Sequence, residues 1–72
     1  MARRINGAAI EAIRRAHGLS QATVAHRVGV SKSMLSKIEN GVSEPGVELL
    51  HRLAAELQCS TDAITHPVPV AS

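Results

Sequence analysis

The chain has 72 residues, a formal net charge of +2 at pH 7, one cysteine and no Phe, Trp or Tyr. This length predicts one small domain, and the missing aromatics exclude a base-stacking platform for single-stranded nucleic acid. The lone Cys59 excludes an internal disulfide, and no apolar run reaches membrane-spanning length. We therefore expect a reducing cytoplasmic setting without a signal peptide.

The charged residues are distributed unevenly along the chain. Residues 1–38 contain seven Arg and Lys and one acid, whereas residues 39–72 contain one Arg and five acids. The two halves therefore carry net charges of +6 and −4. One basic end is typical of a domain that binds a polyanion, although charges clustered by chance on a helical bundle would give the same count.

Apolar periodicity and capping residues predict five helices. They cover, in chain order, residues 7–17, 21–28, 32–39, 46–57 and 60–65. Asn6, Ser20 and Ser31 precede the first three as N-caps. No strand pattern is found except in residues 66–72, where two prolines prevent helix and predict an extended tail after a domain over residues 1–65.

The first and fourth predicted helices each show an apolar face. In the first, helical periodicity places Ile10 and Ile13 inward and directs a charged set toward water, namely Glu11, Arg14 and Arg15. In the fourth, five apolar residues recur at helical spacing: Val47, Leu50, Leu53, Ala54 and Leu57. Both helices are therefore expected to pack on one core.

Residues 21–40 predict two short helices joined by a tight turn. Ala25 is small where the second helix crosses close above it, and Gly29 permits the positive φ needed between the helices. An inner seam is formed by the apolar residues Val24, Val28, Val30, Leu35 and Ile38. This pattern predicts a helix-turn-helix whose second helix enters a DNA major groove.

A longer pattern surrounds this motif. From Gly7 to Pro45 the chain reads G-x-x-I-x-x-I-R-x-x-x-G-L-S-Q-x-x-V-A-x-x-x-G-V-S-x-x-x-L-S-x-I-E-N-G-x-x-x-P. This string resembles the lambda-repressor-like (Cro/XRE-type) DNA-binding domain, and L-x-x-L-A-x-x-L in the fourth helix continues the match. The resemblance covers about residues 5–65. It implies an all-α, compact five-helix domain with the helix-turn-helix at helices 2 and 3.

The resemblance also implies which residues of helix 3 contact bases. Lys32, Ser33 and Lys37 match the positions at base edges, with Ser31 and Ser36 nearby. Helical geometry agrees, because positions 32, 33, 36 and 37 share one face. Lysine can donate to guanine and serine to several base edges.

Further roles follow from the same resemblance. Gln21 is expected to donate to a DNA phosphate and to support the start of helix 3. Asn40 and Gly41 match a turn whose backbone N–H groups hold a phosphate. Arg14 and Glu39 match a pair that ties helix 1 to the end of helix 3. All of these residues are expected to position the domain on DNA and not to read bases. Phosphate contacts carry no base identity, and the Arg14–Glu39 pair acts within the protein.

The loop after helix 3 departs from the family pattern. It is often basic in the family, but here it reads Val42-Ser43-Glu44. A carboxylate close to a phosphate is unfavourable, so Glu44 disfavours phosphate contact through this loop. Arg3 and Arg4 supply positive charge that an N-terminal arm could place along a groove.

No metal, cofactor or catalytic constellation is predicted. Four histidines are widely spaced along the chain: His17, His26, His51 and His66. Their spacing matches no compact ligand pair, and Cys59 is expected to be a small core residue. No paired carboxylates or nucleophile triad can be defended in so small a bundle, so an enzymatic function is not expected.

The sequence favours a transcriptional regulator that binds double-stranded DNA in a sequence-specific manner. We expect a phage-type or bacterial Cro-like repressor, acting as a homodimer by occupancy of a two-fold operator, without a ligand-sensing or cleavage domain. The alternatives are a restriction–modification controller protein and an antitoxin-like protein-interaction module. The acidic half from Val47 onward, with Val68 and Val70, is expected to form the dimer contact.

Overall fold

A computed structural model describes residues 2–68. Four α-helices, α1 to α4, cover Gly7–Ala16, Gln21–Val28, Lys32–Glu39 and Val47–Glu56. A short 3₁₀ helix follows at Thr61–Ile64. Two strands, β1 at Ala2–Ile5 and β2 at Thr65–Val68, pair antiparallel. The fold of the described residues is thus a mostly helical bundle closed by a two-stranded sheet.

Local capping explains where the first three helices begin. The side chains of Asn6, Ser20 and Ser31 each accept the backbone N–H three residues later, at 3.1, 3.0 and 3.0 Å. These bonds satisfy N–H groups that have no partner within the helix. Gly29 ends α2 with φ +81°, a left-handed conformation that glycine adopts without steric cost.

The hydrophobic core is built from aliphatic side chains of every helix. It contains Ile5, Ile10, Val24, Ala25, Val28, Leu35, Ile38, Leu53, Ala54, Leu57 and Ile64. Val30 is only half-buried and packs against its edge. Val47 was expected inside but is 72% exposed. It is the first residue of α4, and its side chain leans toward the helix N-terminus and away from the core.

The start of α1 packs closely on the end of α3. A Cβ atom at Gly7 would lie 2.6 Å from the carbonyl oxygen of Ile38 and would overlap the backbone of Glu39. Glycine at this position therefore serves close packing rather than a turn. The approach brings the side chains of α1 within reach of the last turn of α3.

The β1–β2 sheet corrects the prediction of an all-α fold. Each strand has four residues, and the register pairs Arg4 with His66 and Ile5 with Thr65. The residues predicted as tail at positions 66–68 thus belong to β2, and the expected boundary after Thr65 falls inside that strand. The sequence pattern did not predict this sheet, because both strands are short and the paired residues are more than fifty-nine positions apart. Residues 69–72, including Val70, lie outside the described residues.

The N-terminal residues are a strand with fixed partners, and not the free arm expected from the sequence. Arg3 Nε donates to Thr65 Oγ1 at 2.9 Å, across the sheet. The backbone N–H of Ile5 donates to Glu44 Oε2 at 3.2 Å, and Arg4 Nε lies 3.5 Å from the same carboxylate. Glu44 therefore ties the α3–α4 loop to β1.

The fifth predicted helix is shorter and tighter than expected. Residues 60–65 form only the 3₁₀ helix at Thr61–Ile64, and Ser60 makes no side-chain capping bond. Thr65 Oγ1 donates to the carbonyl oxygen of Thr61 at 2.8 Å, and Asn6 N–H donates to that of Ile64 at 2.8 Å. The five-helix prediction is therefore replaced by four α-helices and one 3₁₀ helix.

In residues 2–68, no helix is both long enough and apolar enough to span a bilayer. Over the same residues, no three His, Cys, Asp or Glu side chains cluster in a way that could hold a metal ion. Cys59 is half-buried against the core, and this burial raises the pKa of its thiol, which favours the unreactive neutral form.

Candidate nucleic-acid interface

Helices α2 and α3 pack against each other across a three-residue turn. Val30 N–H donates to the carbonyl oxygen of Ala25 at 2.9 Å, which closes the end of α2. Ala25 is 1% exposed, as expected where α3 crosses above it. Ser31 then caps α3, so the turn fixes the angle at which α3 leaves the bundle.

One side of α3 faces the core and the other faces solvent. Leu35 and Ile38 are fully buried. The opposite side carries the residues predicted for base contact: Ser31, Lys32, Ser33, Ser36 and Lys37, of which only Ser36 is half-buried. The structure therefore brings these five residues together on one polar, projecting surface, which we call the α3 face.

Ion pairing distinguishes the α3 face from the rest of the surface. In residues 2–68 each of the six arginines lies near one of the six acids: Arg3–Asp62, Arg4–Glu44, Arg14–Glu39, Arg15–Glu11, Arg27–Glu56 and Arg52–Glu48. Lys32 and Lys37 are in no such pair within that part of the chain. They are therefore the surplus charge of the domain.

Three of the surface ion pairs join the basic and the acidic halves of the chain. The acidic half of the chain packs against the basic half. Arg3, Arg4 and Arg27 therefore lie beside acids that are distant in sequence. Exposed pairs of this kind stabilise the fold only weakly, but they do lower the local positive potential. Positive charge is therefore concentrated on α3 rather than spread over residues 1–38.

Arg14 and Glu39 form a buried, two-pronged ion pair. Arg14 Nε and Nη2 donate to the two carboxylate oxygens of Glu39 at 2.8 and 3.1 Å. Arg14 Nη1 donates to the carbonyl oxygen of Leu19 at 2.9 Å. Hydrogen bonding to Glu39 raises the pKa of Arg14 despite the opposing effect of burial. Periodicity had placed Arg14 toward water, but its partner draws it into the α1–α3 contact.

Gln21 joins this network from the first turn of α2. Its Nε2 donates to Glu39 Oε1 at 3.0 Å, and a carboxylate can only accept, so the amide orientation is determined chemically. The resemblance had implied support for the start of helix 3, whereas this bond supports its last turn. The second amide hydrogen has no partner in this network and is available to a ligand.

A cleft lies beside the α3 face, between α1, the start of α2 and α3. We call it the Lys32 cleft, because Lys32, Gln21 and Asn40 line it together with the Arg14–Glu39 pair. Its volume is about 380 Å³. Three residues predicted separately from the sequence thus line one cleft.

The turn after α3 uses its backbone N–H groups internally. The N–H groups of Asn40, Gly41 and Val42 donate to carbonyl oxygens in α3, at 3.0, 3.1 and 2.8 Å. Gly41 has φ +75°, as this type of helix end requires. The expected phosphate contact through these N–H groups would have to break helix-capping bonds. The Asn40 side chain is exposed, and its Nδ2 lies 3.5 Å from Ser36 Oγ.

The chain belongs to the HTH_3 helix-turn-helix family of Cro/C1 type, whose sequence profile matches residues 10–64. The match includes all of α2, α3 and α4. Strands β1 and β2 lie outside the matched range. No match is found among curated protein sequences.

Three solved structures show what this chain resembles. The P22 c2 repressor bound to a synthetic operator is 39% identical, with a TM-score of 0.75 over 78% of this chain and 85% of that one. The biofilm regulator SinR bound to DNA is 33% identical, with a TM-score of 0.73 over 79% and 95%. The restriction-modification controller C.AhdI from Aeromonas hydrophila is 28% identical, with a TM-score of 0.75 over 79% and 86%.

The Arg14–Glu39 pair should contribute strongly to stability. Replacing either residue with Ala leaves a buried charge without its partner and should cost about 3 kcal/mol or more. The double variant should cost less than the sum of the single ones. Urea or thermal unfolding measures both. The exposed Arg15–Glu11 pair is the matched control, and its loss should cost about 0.5 kcal/mol. Strict additivity of the two buried substitutions would contradict the pairing.

Proposed function

We propose that this chain is a transcriptional regulator that binds double-stranded DNA with sequence specificity. Helices α2 and α3 act as the helix-turn-helix, and the α3 face enters the major groove. The observation that carries this proposal is the concentration of unpaired positive charge on one projecting helix. The family and the DNA-bound relatives support the same function.

Within the α3 face, side chains of two kinds can read base edges. Lys37 can donate to the O6 and N7 atoms of guanine, and Ser33 and Ser36 can bond to several bases. Ser31 already uses its oxygen to cap α3, so its contact with DNA is proposed through the hydroxyl hydrogen. The short serines let the helix backbone approach the groove closely, while the longer lysine reaches farther.

Phosphate contacts are proposed at the edges of this surface. Gln21 has an amide hydrogen to donate while the other remains bonded to Glu39, and the exposed Asn40 amide is a second neutral donor. Gly41 is proposed to contribute its N–H only if the turn opens on binding. Such contacts set the register of the domain on the duplex without reading its sequence.

Operator occupancy is the proposed mode of action. A bound domain blocks or admits RNA polymerase at an adjacent promoter, and repression is the favoured outcome. The HTH_3 family and the structural relatives are DNA-binding regulators, which are generally not enzymes, so no catalytic role is proposed. The likeness to C.AhdI keeps a restriction–modification controller as the second candidate.

We also propose that two copies bind a two-fold symmetric site. The apolar side chains nearest the α3–α4 loop supply the contact: Val42 and Val47 are 74% and 72% exposed, and Pro45 and Leu50 lie beside Val47 around a shared groove. Val68, proposed from the sequence for this contact, is half-buried in β2. Two recognition helices on one DNA face must lie about 34 Å apart.

Binding should depend on both sequence and salt. Selection from a random duplex pool should recover a defined half-site, repeated with a fixed spacing. If one lysine on each α3 face neutralises a phosphate, the slope of log K against log salt for a dimer is about −1.8. Affinity then falls by about one decade between roughly 50 and 200 mM salt. Equal affinity for all duplexes, or no response to salt, would exclude this function.

Self-association should depend on Val47. Val47→Glu adds a charge to the proposed apolar contact and should shift the dimer toward monomer in sedimentation equilibrium. Ala12→Glu adds the same charge at an exposed position of α1. It is the control and should leave association unchanged. A wild-type chain that stays monomeric at high concentration and on operator DNA would contradict the dimer.

A further inference from the structure

The two lysines of the α3 face have different surroundings. Lys32 is the first residue of α3 and lines the Lys32 cleft. Lys37 is in the last turn and lies outside that cleft, on the exposed side of the helix. Lys32 shares this cleft with the start of α2, because Ser20 and Gln21 line it as well. The two lysines can therefore contact different parts of the DNA.

The charges around the cleft leave Lys32 as its surplus. Glu11 and Arg15 form one pair, with 2.7 Å between Oε1 and NH2. Arg14 and Glu39 form the second, at 2.8 Å between Nε and Oε2. Each pair has no net charge, so the cleft as a whole carries the single positive charge of Lys32. A monoanionic group is the ligand that balances it.

Two neutral donors border the same cleft. Gln21 retains one amide hydrogen beyond its bond to Glu39, and the Asn40 amide holds only a long, 3.5 Å contact to Ser36. A cleft lined by one surplus ammonium group and two amide donors suits an oxygen-rich anion. A base edge offers mixed donors and acceptors and lies in the groove rather than beside α1. The cleft is thus matched to a phosphodiester group.

We propose that Lys32 binds a backbone phosphate of the DNA in this cleft and does not read a base. Lys37 is then the lysine that discriminates between base pairs. This division rests on the proposed function, and it departs from the base-edge role that the family resemblance implies for position 32. The base contacts of α3 are then made by its serines and by Lys37 in its last turn.

The division of roles has measurable consequences. A phosphate contact adds affinity for every sequence and releases counterions, so its loss flattens the salt dependence without changing base preference. A base contact mainly separates the correct site from others. The two lysines can therefore be compared by the same substitution in the same helix.

The experiment compares Lys32→Ala and Lys37→Ala on the selected operator and on a random-sequence duplex, over a salt series. Both residues are exposed, and thermal unfolding checks that both variants fold. Lys32→Ala should lower the affinity for both duplexes by the same factor and reduce the salt slope by about 1.8 per dimer. Lys37→Ala should reduce discrimination between the duplexes, roughly 5- to 150-fold per base contact.

A second readout locates the phosphate. Single neutral methylphosphonate linkages are placed along the operator, one position at a time. At one position in each half-site the substitution should weaken the wild-type protein but not Lys32→Ala, because the contact is already lost. Equal weakening of both proteins at every position would overturn the inference.

The outcomes separate the inference from the function on which it rests. If Lys32→Ala changes the preferred bases, or leaves both affinities unaltered, the phosphate assignment is wrong while DNA binding stands. If the wild-type protein binds neither duplex, the proposed function itself fails. Only a uniform loss with a flatter salt slope supports a phosphate at Lys32.

Discussion

The buried carboxylate of Glu39 is the point at which three helices are joined. It accepts two hydrogen bonds from Arg14 in α1 and one from Gln21 in α2, while it belongs to the last turn of α3. Two charges removed from water are tolerated only when every bond is made, so this network has little freedom to rearrange. The network therefore holds α3 in its orientation together with the α2–α3 turn and the buried side chains of Leu35 and Ile38.

A second consequence of the fold is electrostatic. Each arginine of residues 2–68 lies beside an acid, so the surplus positive side-chain charge of these residues is found on α3 and in its cleft. A protein with this arrangement is drawn to DNA mainly by the helix that is proposed to read it. Weak attraction elsewhere limits non-specific binding in other orientations, which favours correct docking over simple adhesion to a polyanion.

Local sequence patterns predicted the features that depend on contacts between residues close together in the chain, and missed those that depend on distant residues. The caps at Ser20 and Ser31 and the turn at Gly29 are local, and the structure confirmed them. The β1–β2 sheet joins chain ends, so no local pattern could reveal it. Periodicity alone placed Arg14 toward water because its partner is twenty-five positions away. The family resemblance indicated the pair with Glu39, and the structure confirmed it. Lys32, Gln21 and Asn40 line one cleft because of how the helices pack. Their spacing in the sequence does not reveal this.

The central claim is that the α3 face, with the Lys32 cleft, is the surface that meets DNA. Amide and side-chain NMR shifts of the labelled protein, titrated with the selected operator, test it most directly. We expect the largest changes in residues 32–37, at Gln21 and at Asn40, with little change in β1, β2 and the outer side of α4. Changes centred on the sheet or on α4, with α3 unaffected, would contradict it.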